Sequence, residues 1–218
     1  MKVHLVDGTY ELFRHYYGAP AHRSAGNEEV GAARAVLGSL LGMLEAGATH
    51  MGVATDHVIE SWRNDAWPTY KSSAGVPPDL LAQFPLFEEA LASMGLVVWA
   101  MTDLEADDAL ASAVLGRYAT LEAIPPAASA WEVPLPPSRV ASLAAALAHD
   151  RDAAQLFKKL ATCVVDRELL PTGTAAVDSL AWRGPAPGFA DICRRLEVPA
   201  LLRRAEDLAS ARAAQGGS

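Results

Sequence analysis

Three carboxylates lie within four residues of the stretch LEADDAL (104–110), where Glu105, Asp107 and Asp108 stand among apolar neighbours. Carboxylates this close repel one another, so their clustering needs a cause. One cause is helix capping, because Thr102 and Glu105 have capping-box spacing and acidic residues in a first turn complement the helix dipole. The other is a cation, because hard metal ions prefer oxygen ligands. Taken alone, the stretch favours capping and leaves a metal site open.

Two further aspartates end apolar runs that have the character of short strands. KVHLVD (2–7) ends in Asp7 and is followed by glycine, and THMGVATD (49–56) ends in Asp56. A third run, LVVWAM (96–101), closes just before the LEADDAL stretch. Short apolar runs bounded by turn residues predict strands. The sequence therefore places carboxylates at or just past the ends of three predicted strands.

Helical patterns separate these runs. Residues 27–47 carry apolar side chains at helical spacing and end in Gly47, which suits a helix C-cap. Residues 79–94 predict a second helix, which Pro85 is expected to break or restart. Strands that alternate with helices predict an α/β fold with a parallel sheet. Ligands of such sheets bind beyond the carboxyl ends of the strands, which is where the acidic residues fall.

Carboxylates gathered at such an edge have a definite chemistry. They raise one another's pKa unless a cation lies among them. Mg²⁺ or Mn²⁺ suits an all-oxygen site, and two such ions can clamp a phosphodiester during hydrolysis. Bound ions also invert the local charge, so an acidic site of this kind can hold an anionic backbone.

The composition of the 218-residue chain narrows the classes of protein it can be. The net charge is −8, with 6 Lys and Arg against 15 Asp and Glu in residues 1–112, and 12 against 11 in residues 113–218. This balance argues against a generic basic nucleic-acid binder. No signal peptide or membrane span is predicted, so a cytoplasmic location is expected. Cys163 and Cys193 have neither metal-ligand nor disulfide-framework spacing.

A polar stretch, ESWRNDAWPTYKSSAG (60–75), interleaves aromatic and basic residues. These residues are Trp62, Arg63, Trp67, Tyr70 and Lys71. Aromatic rings beside cations can stack on bases or hold a phosphate, but packing within a loop explains them equally well. Each cation taken alone is more often a surface charge than a phosphate ligand.

Three longer segments of the first half share the pattern of a known family. They are VDGTYELFRHYYG (6–18), VATDHVIESWRNDAWPTYKSSAGVPPDLLAQF (53–84) and LEADDALAS (104–112). In this order they resemble bacterial 5′–3′ exonucleases, the flap-endonuclease-like enzymes related to the 5′-nuclease domain of DNA polymerase I. The likeness is nearly continuous over residues 1–112.

The resemblance implies a PIN-like α/β fold and hydrolysis of DNA phosphodiesters at 5′ ends or flaps with Mg²⁺ or Mn²⁺. By matching position it implies that Asp7, Asp56, Glu105, Asp107 and Asp108 are metal-coordinating carboxylates. It also implies basic catalytic positions near the scissile phosphate, at Arg14, Arg63 and Lys71. Tyr70 and Lys71 would open the arch that guides the 5′ strand, and together with Arg63 they would contact DNA.

The second half resembles the family with a gap. GRYATLEAIP (116–125), HDRDAAQLFKKLATCVVD (149–166) and SLAWRGP (179–185) match the carboxyl-terminal part of the family. The strand and loops that bring the second group of aspartates are missing, and so is the glycine-rich hairpin that holds duplex backbone. A second metal ion would then have few ligands. Two hypotheses follow: a metal-dependent 5′ nuclease, or a catalytically impaired remnant that at most binds metal or nucleic acid.

We therefore expect three regions: a partial nuclease domain over 1–112, a helical remnant over 113–205 and a tail over 206–218. Within the second region, residues 125–138 are Pro-rich and predict a loop, and residues 138–163 predict an amphipathic helix. The last segment, beginning near residue 188, predicts one or two helices and a frayed end.

Overall fold

The computed structural model describes residues 1–108, 159–160, 162 and 177–216. Its centre is a parallel sheet of three described strands in the order β1 (Val3–Asp7), β2 (His50–Asp56) and β3 (Val97–Met101). The three strands match the three predicted apolar runs within one or two residues. The predicted α/β fold with a parallel sheet is confirmed.

Seven described helices flank the sheet. They are α1 (Gly8–Gly18), α2 (Gly31–Glu45), α3 (Trp62–Ala66), α4 (Pro78–Leu81), α5 (Gln83–Ser93), α6 (Phe189–Arg195) and α7 (Pro199–Gly216). The helix predicted over 79–94 is in fact two helices that meet at Ala82, so the break lies before Pro85. Pro85 occupies the third position of α5, where a backbone N–H has no partner within the helix. Gly47 follows the end of α2 with a φ of +98°, in keeping with its predicted capping role.

The core lies between the sheet and three helices, with α1 and α5 in contact with the strands and α2 packed on both of these helices. Leu37, Leu41, Phe87 and Leu91 are fully buried there, and the central strand β2 is buried from Met51 to Asp56. Burying each large apolar side chain contributes about 1.5–3 kcal/mol before the entropic cost of ordering.

The described part of the second half packs on the same core. The backbone of Trp182 donates to the carbonyl of Thr49 (3.0 Å), and its indole Nε1 donates to the carbonyl of Met94 (2.8 Å). The Arg212 guanidinium lies 5.0 Å from the centre of the Trp182 ring. Residues 206–216, predicted as a tail, continue α7. The two predicted carboxyl-terminal helices are α6 and α7.

Several sequence predictions concern other parts of the chain. The Pro-rich loop over 125–138, the join after LEADD and most of the helix over 138–163 lie outside the described residues. Cys193 is buried as a free thiol, and burial, with the nearby Glu206, raises its pKa to about 11. Cys163 also lies outside the described residues. No helix of the described part is long and apolar enough to cross a bilayer.

Candidate functional site

One hydrogen bond links the segments at the ends of the first two strands. Asp7 ends β1 and caps α1, because its Oδ1 accepts from the backbone N–H of Tyr10 (2.8 Å). Asp56 ends β2, and its backbone N–H donates to Thr9 Oγ1 (2.6 Å). Gly8 lets α1 approach β2 closely, since a Cβ there would lie 2.9 Å from the carbonyl oxygen of Ala54. Asp7 and Asp56 are thereby held at one edge of the sheet.

Thr9 offers a direct test of this junction. Thr9→Val keeps the shape but leaves the Asp56 N–H without its acceptor, so we expect a loss of about 1–3 kcal/mol in the free energy of unfolding. Thr9→Ser keeps the hydroxyl and should retain most of that stability. Urea denaturation of both variants makes the measurement, and equal midpoints for Val and Ser would contradict the assigned hydrogen bond.

The LEADD carboxylates lie directly beside Asp56. Asp56 Oδ1 accepts from the backbone N–H of Ala106 (2.7 Å), at the start of a short helical stretch over 106–108. The capping box predicted from Thr102 is wrong, because that residue lies in a bend four residues before the helix. Instead, Asp108 Oδ2 accepts from the backbone N–H of Glu105 (3.0 Å), the residue that precedes the helix. The capping role therefore belongs to Asp108, and Asp107 is left exposed.

Arg63 lies buried beneath this acidic stretch, with 2% of its surface exposed. Its Nη1 donates to Glu105 Oε1 (3.0 Å) and Asp108 Oδ2 (2.7 Å), and its Nη2 donates to Asp108 Oδ1 (2.8 Å). Its remaining N–H groups donate to the backbone carbonyls of Leu160 (2.7 Å) and Thr162 (3.1 Å). A guanidinium has five N–H groups, and all five are used within the protein. The bidentate hydrogen bonding to Asp108 is the main reason why the pKa of Arg63 is raised.

Lys71 lies on the solvent side of the same carboxylates. Its Nζ is 2.6 Å from Asp56 Oδ2 and 3.5 Å from Glu105 Oε2, and 32% of its side chain is exposed. Burial alone would lower the pKa of Lys71, but the hydrogen bond and charge of Asp56, together with Glu105, raise it overall. The ammonium group therefore stays charged and bridges two carboxylates from different elements.

Comparison with known proteins shows the family of this chain. Residues 2–123 match the family model described as the 5′-3′ exonuclease, N-terminal resolvase-like domain. The chain belongs to this family. It is 32% identical over 115 residues to a 5′-3′ exonuclease of Bacillus subtilis, a match that covers 50% of this chain and 39% of that protein. The match thus spans well under half of that relative's length.

Two polymerases show the same likeness. The chain is 28% identical over 112 residues to DNA polymerase I of Mycobacterium leprae, covering 50% of this chain and 12% of that protein. It is 31% identical over 112 residues to the thermostable DNA polymerase I of Thermus thermophilus, covering 51% and 14% respectively. The family resemblance noted from the sequence is confirmed.

Within this 5′-3′ exonuclease domain, the donor set suits a hard cation, although the carboxylates are not arranged around one. Among the residues that the structure describes, no three His, Cys, Asp or Glu side chains are placed to hold one metal ion. Two described cationic groups contact these carboxylates: the guanidinium of Arg63, and the ammonium of Lys71, which pairs with Asp56 and Glu105. The carboxylate oxygens are donors of the kind that Mg²⁺ or Mn²⁺ prefers, so the residue types fit either ion chemically.

Asp7 and Asp107 complete the acidic edge. The pKa of Asp7 is raised, chiefly by burial, and the charges of Asp107 and Asp56 raise it further, against the lowering effects of the Tyr10 hydrogen bond and of Lys71. Of the five predicted metal ligands, Asp108 is the one most fully committed to another partner, with 0% of its surface exposed.

The other predicted catalytic and DNA-contacting residues differ in their surroundings. Arg14 is exposed on α1 and pairs with Glu11 of the same helix at 2.5 Å. Tyr70 is 38% exposed, and burial together with the charge of Glu105 raises its pKa. Arg63, in contrast, presents no free N–H to a phosphate in this conformation.

Two residues that support the site were not predicted. Ser61 Oγ donates to Glu105 Oε1 (2.6 Å) and Ser61 also caps α3, while Thr9 joins the first two strand ends. A serine directly before an amphipathic turn is an N-cap signal, so the capping role was within reach. Its contact with Glu105, 44 residues away along the chain, had no local signal.

Proposed function

We propose that this chain is a 5′-nuclease domain that hydrolyses DNA phosphodiester bonds at 5′ ends or flaps with the help of Mg²⁺ or Mn²⁺. The observation that carries the proposal is the meeting of Asp7, Asp56 and the stretch 105–108 at the carboxyl ends of adjacent parallel strands. This is the edge at which open α/β sheets bind ligands. Membership of the 5′-3′ exonuclease family supports the reaction class. A DNA substrate of this kind implies a cytoplasmic location and work in DNA replication or repair.

In this proposal Asp7, Asp56, Glu105 and Asp107 would hold the metal. The ion would polarise a phosphoryl oxygen and lower the pKa of a bound water. Exposed Tyr70 would stack on a base beside the cleaved bond.

The basic residues take separate roles in the same proposal. Arg14 is exposed on the helix that begins at Asp7, so it can contact the DNA backbone. Lys71 can do the same once its ammonium leaves the carboxylates. Arg63 acts through Glu105 and Asp108 as a positioning residue.

A second candidate is an impaired remnant of such a nuclease. It is favoured by the absence, among the described residues, of three carboxylates placed around one ion. It is also favoured by the missing second group of aspartates, which would leave a second ion without ligands.

Cleavage of a 5′-labelled flap DNA distinguishes the two. We expect product release with Mn²⁺ or Mg²⁺ and none with EDTA. Asp107→Ala should abolish cleavage without unfolding the protein, because this side chain is exposed. Asp103→Ala is the matched control, since it removes the same charge from an exposed position four residues earlier.

Three results would count against the proposal. Equal cleavage by the wild-type protein and Asp107→Ala would overturn the assigned site. Cleavage that persists in EDTA would overturn metal dependence. A folded protein that binds Mn²⁺ but leaves the flap intact would establish the remnant instead.

A further inference from the structure

We infer that Lys71 is the resident counter-ion of the carboxylate site, and that a divalent cation must displace its ammonium group in order to bind. The inference rests on the proposed function for the identity of the metal ligands. It goes beyond that function by assigning Lys71 a part in setting metal affinity before any DNA is present.

The position of the ammonium group carries the inference. Nζ lies 2.6 Å from Asp56 Oδ2 and 3.5 Å from Glu105 Oε2, so one cation joins two of the proposed metal ligands. The other oxygen of Asp56 accepts from the backbone N–H of Ala106 (2.7 Å). Both oxygens of Asp56 are therefore engaged, and a metal ion approaching this carboxylate meets the ammonium first.

The ammonium group of Lys71, unlike the guanidinium of Arg63, can move away from the carboxylates. The Arg63 guanidinium is buried with five hydrogen bonds, whereas the Lys71 side chain is 32% exposed on a flexible four-carbon stem. The backbone of Lys71 is meanwhile held, because Asn64 Nδ2 donates to its carbonyl oxygen at 2.6 Å. The ammonium can move into solvent or onto a phosphate while the loop that carries it stays in place.

Removing the ammonium should make the site bind metal more tightly. Its charge lies close to Asp56 and Glu105, where unit charges interact strongly even in a polar environment. We expect Lys71→Met and Lys71→Gln to bind Mn²⁺ at least about tenfold more tightly than the wild-type protein. Electron paramagnetic resonance of free Mn²⁺ gives the dissociation constants. Lys2→Met, an exposed lysine at the amino terminus, is the matched control, and Lys71→Arg should stay near the wild-type value.

Chemical labelling tests the same displacement in the wild-type protein. Acetylation followed by peptide mass spectrometry should show Lys71 reacting slowly without metal and severalfold faster with Mn²⁺. Lys2 should react at the same rate in both conditions. This measurement does not depend on a variant that folds.

The outcomes separate this inference from the proposed function. Tighter Mn²⁺ binding by both neutral variants supports the inference, even where flap cleavage is absent. Unchanged or weaker binding by both, or Lys71 labelling that ignores Mn²⁺, overturns it while leaving a nuclease function standing. A lack of Mn²⁺ binding by every folded variant overturns both.

Discussion

Replacing Arg63 with methionine is expected to lower the free energy of unfolding by about 3–5 kcal/mol. The change leaves Glu105 and Asp108 buried with one cation fewer, and the carbonyls of Leu160 and Thr162 without a donor. Breaking a buried ion pair by removing one partner costs more than the pair contributes, because the remaining charge stays out of water. For a chain of this size the loss corresponds to a fall of roughly 6–20 °C in Tm.

Two other variants make this result specific. Arg14→Met removes the same charge from an exposed helix position and should change stability by no more than about 0.5 kcal/mol. Arg63→Lys should recover only part of the loss, because an ammonium cannot reproduce a bidentate fork. Urea unfolding followed by circular dichroism measures all three. A wild-type midpoint for Arg63→Met would contradict a stabilising role for the buried guanidinium.

Replacing Trp182 with alanine is expected to lower the free energy of unfolding by about 3–5 kcal/mol. The ring is 5% exposed, stacks against Arg212 and donates its N–H to the carbonyl of Met94. Truncation leaves a cavity and a buried carbonyl without its donor. The loss would show that the carboxyl-terminal segment is part of the same cooperative unit as the sheet.

Trp67 provides the matched control for this second prediction. It carries the same side chain but is 41% exposed, so Trp67→Ala should cost about 1 kcal/mol or less. Trp182→Phe keeps an aromatic ring but loses the hydrogen bond. Its loss in the free energy of unfolding should lie between those of Trp182→Ala and Trp67→Ala. Chemical denaturation of the three variants gives these free energies. Similar losses of stability for Trp182→Ala and Trp67→Ala would contradict the assignment of Trp182 to the core.

The strand ends were predictable because apolar runs and their turn residues are local signals. Asp7 and Asp56 each end such a run. Their location at the same edge of the sheet could therefore be predicted from the chain pattern and from the geometry of parallel sheets. The helix over 79–94 was predicted to break at Pro85, and the break lies three residues earlier, at Ala82. Pro85 has no N–H to donate to the carbonyl of Leu81, the residue at which α4 ends.

The partners of the basic residues were beyond local reasoning. The acceptors of Arg63 lie between 42 and 99 residues away along the chain. A motif match treats Arg63 and Lys71 alike, as cations near a phosphate. Burial distinguishes the two residues. Arg63 donates every N–H to acceptors within the protein, whereas the side chain of Lys71 is partly exposed.

The structural hydrogen bonds of Asp7 and Asp108 have a consequence for how such sequences change during evolution. Asp7 caps α1, and Asp108 accepts two hydrogen bonds from Arg63 and one from the Glu105 backbone. Selection for a folded chain therefore retains these two acids even in a lineage that has given up cleavage. Asp107 is exposed in the described part of the chain, so under the proposed function the residue at this position would be the more faithful marker of a working nuclease among related chains.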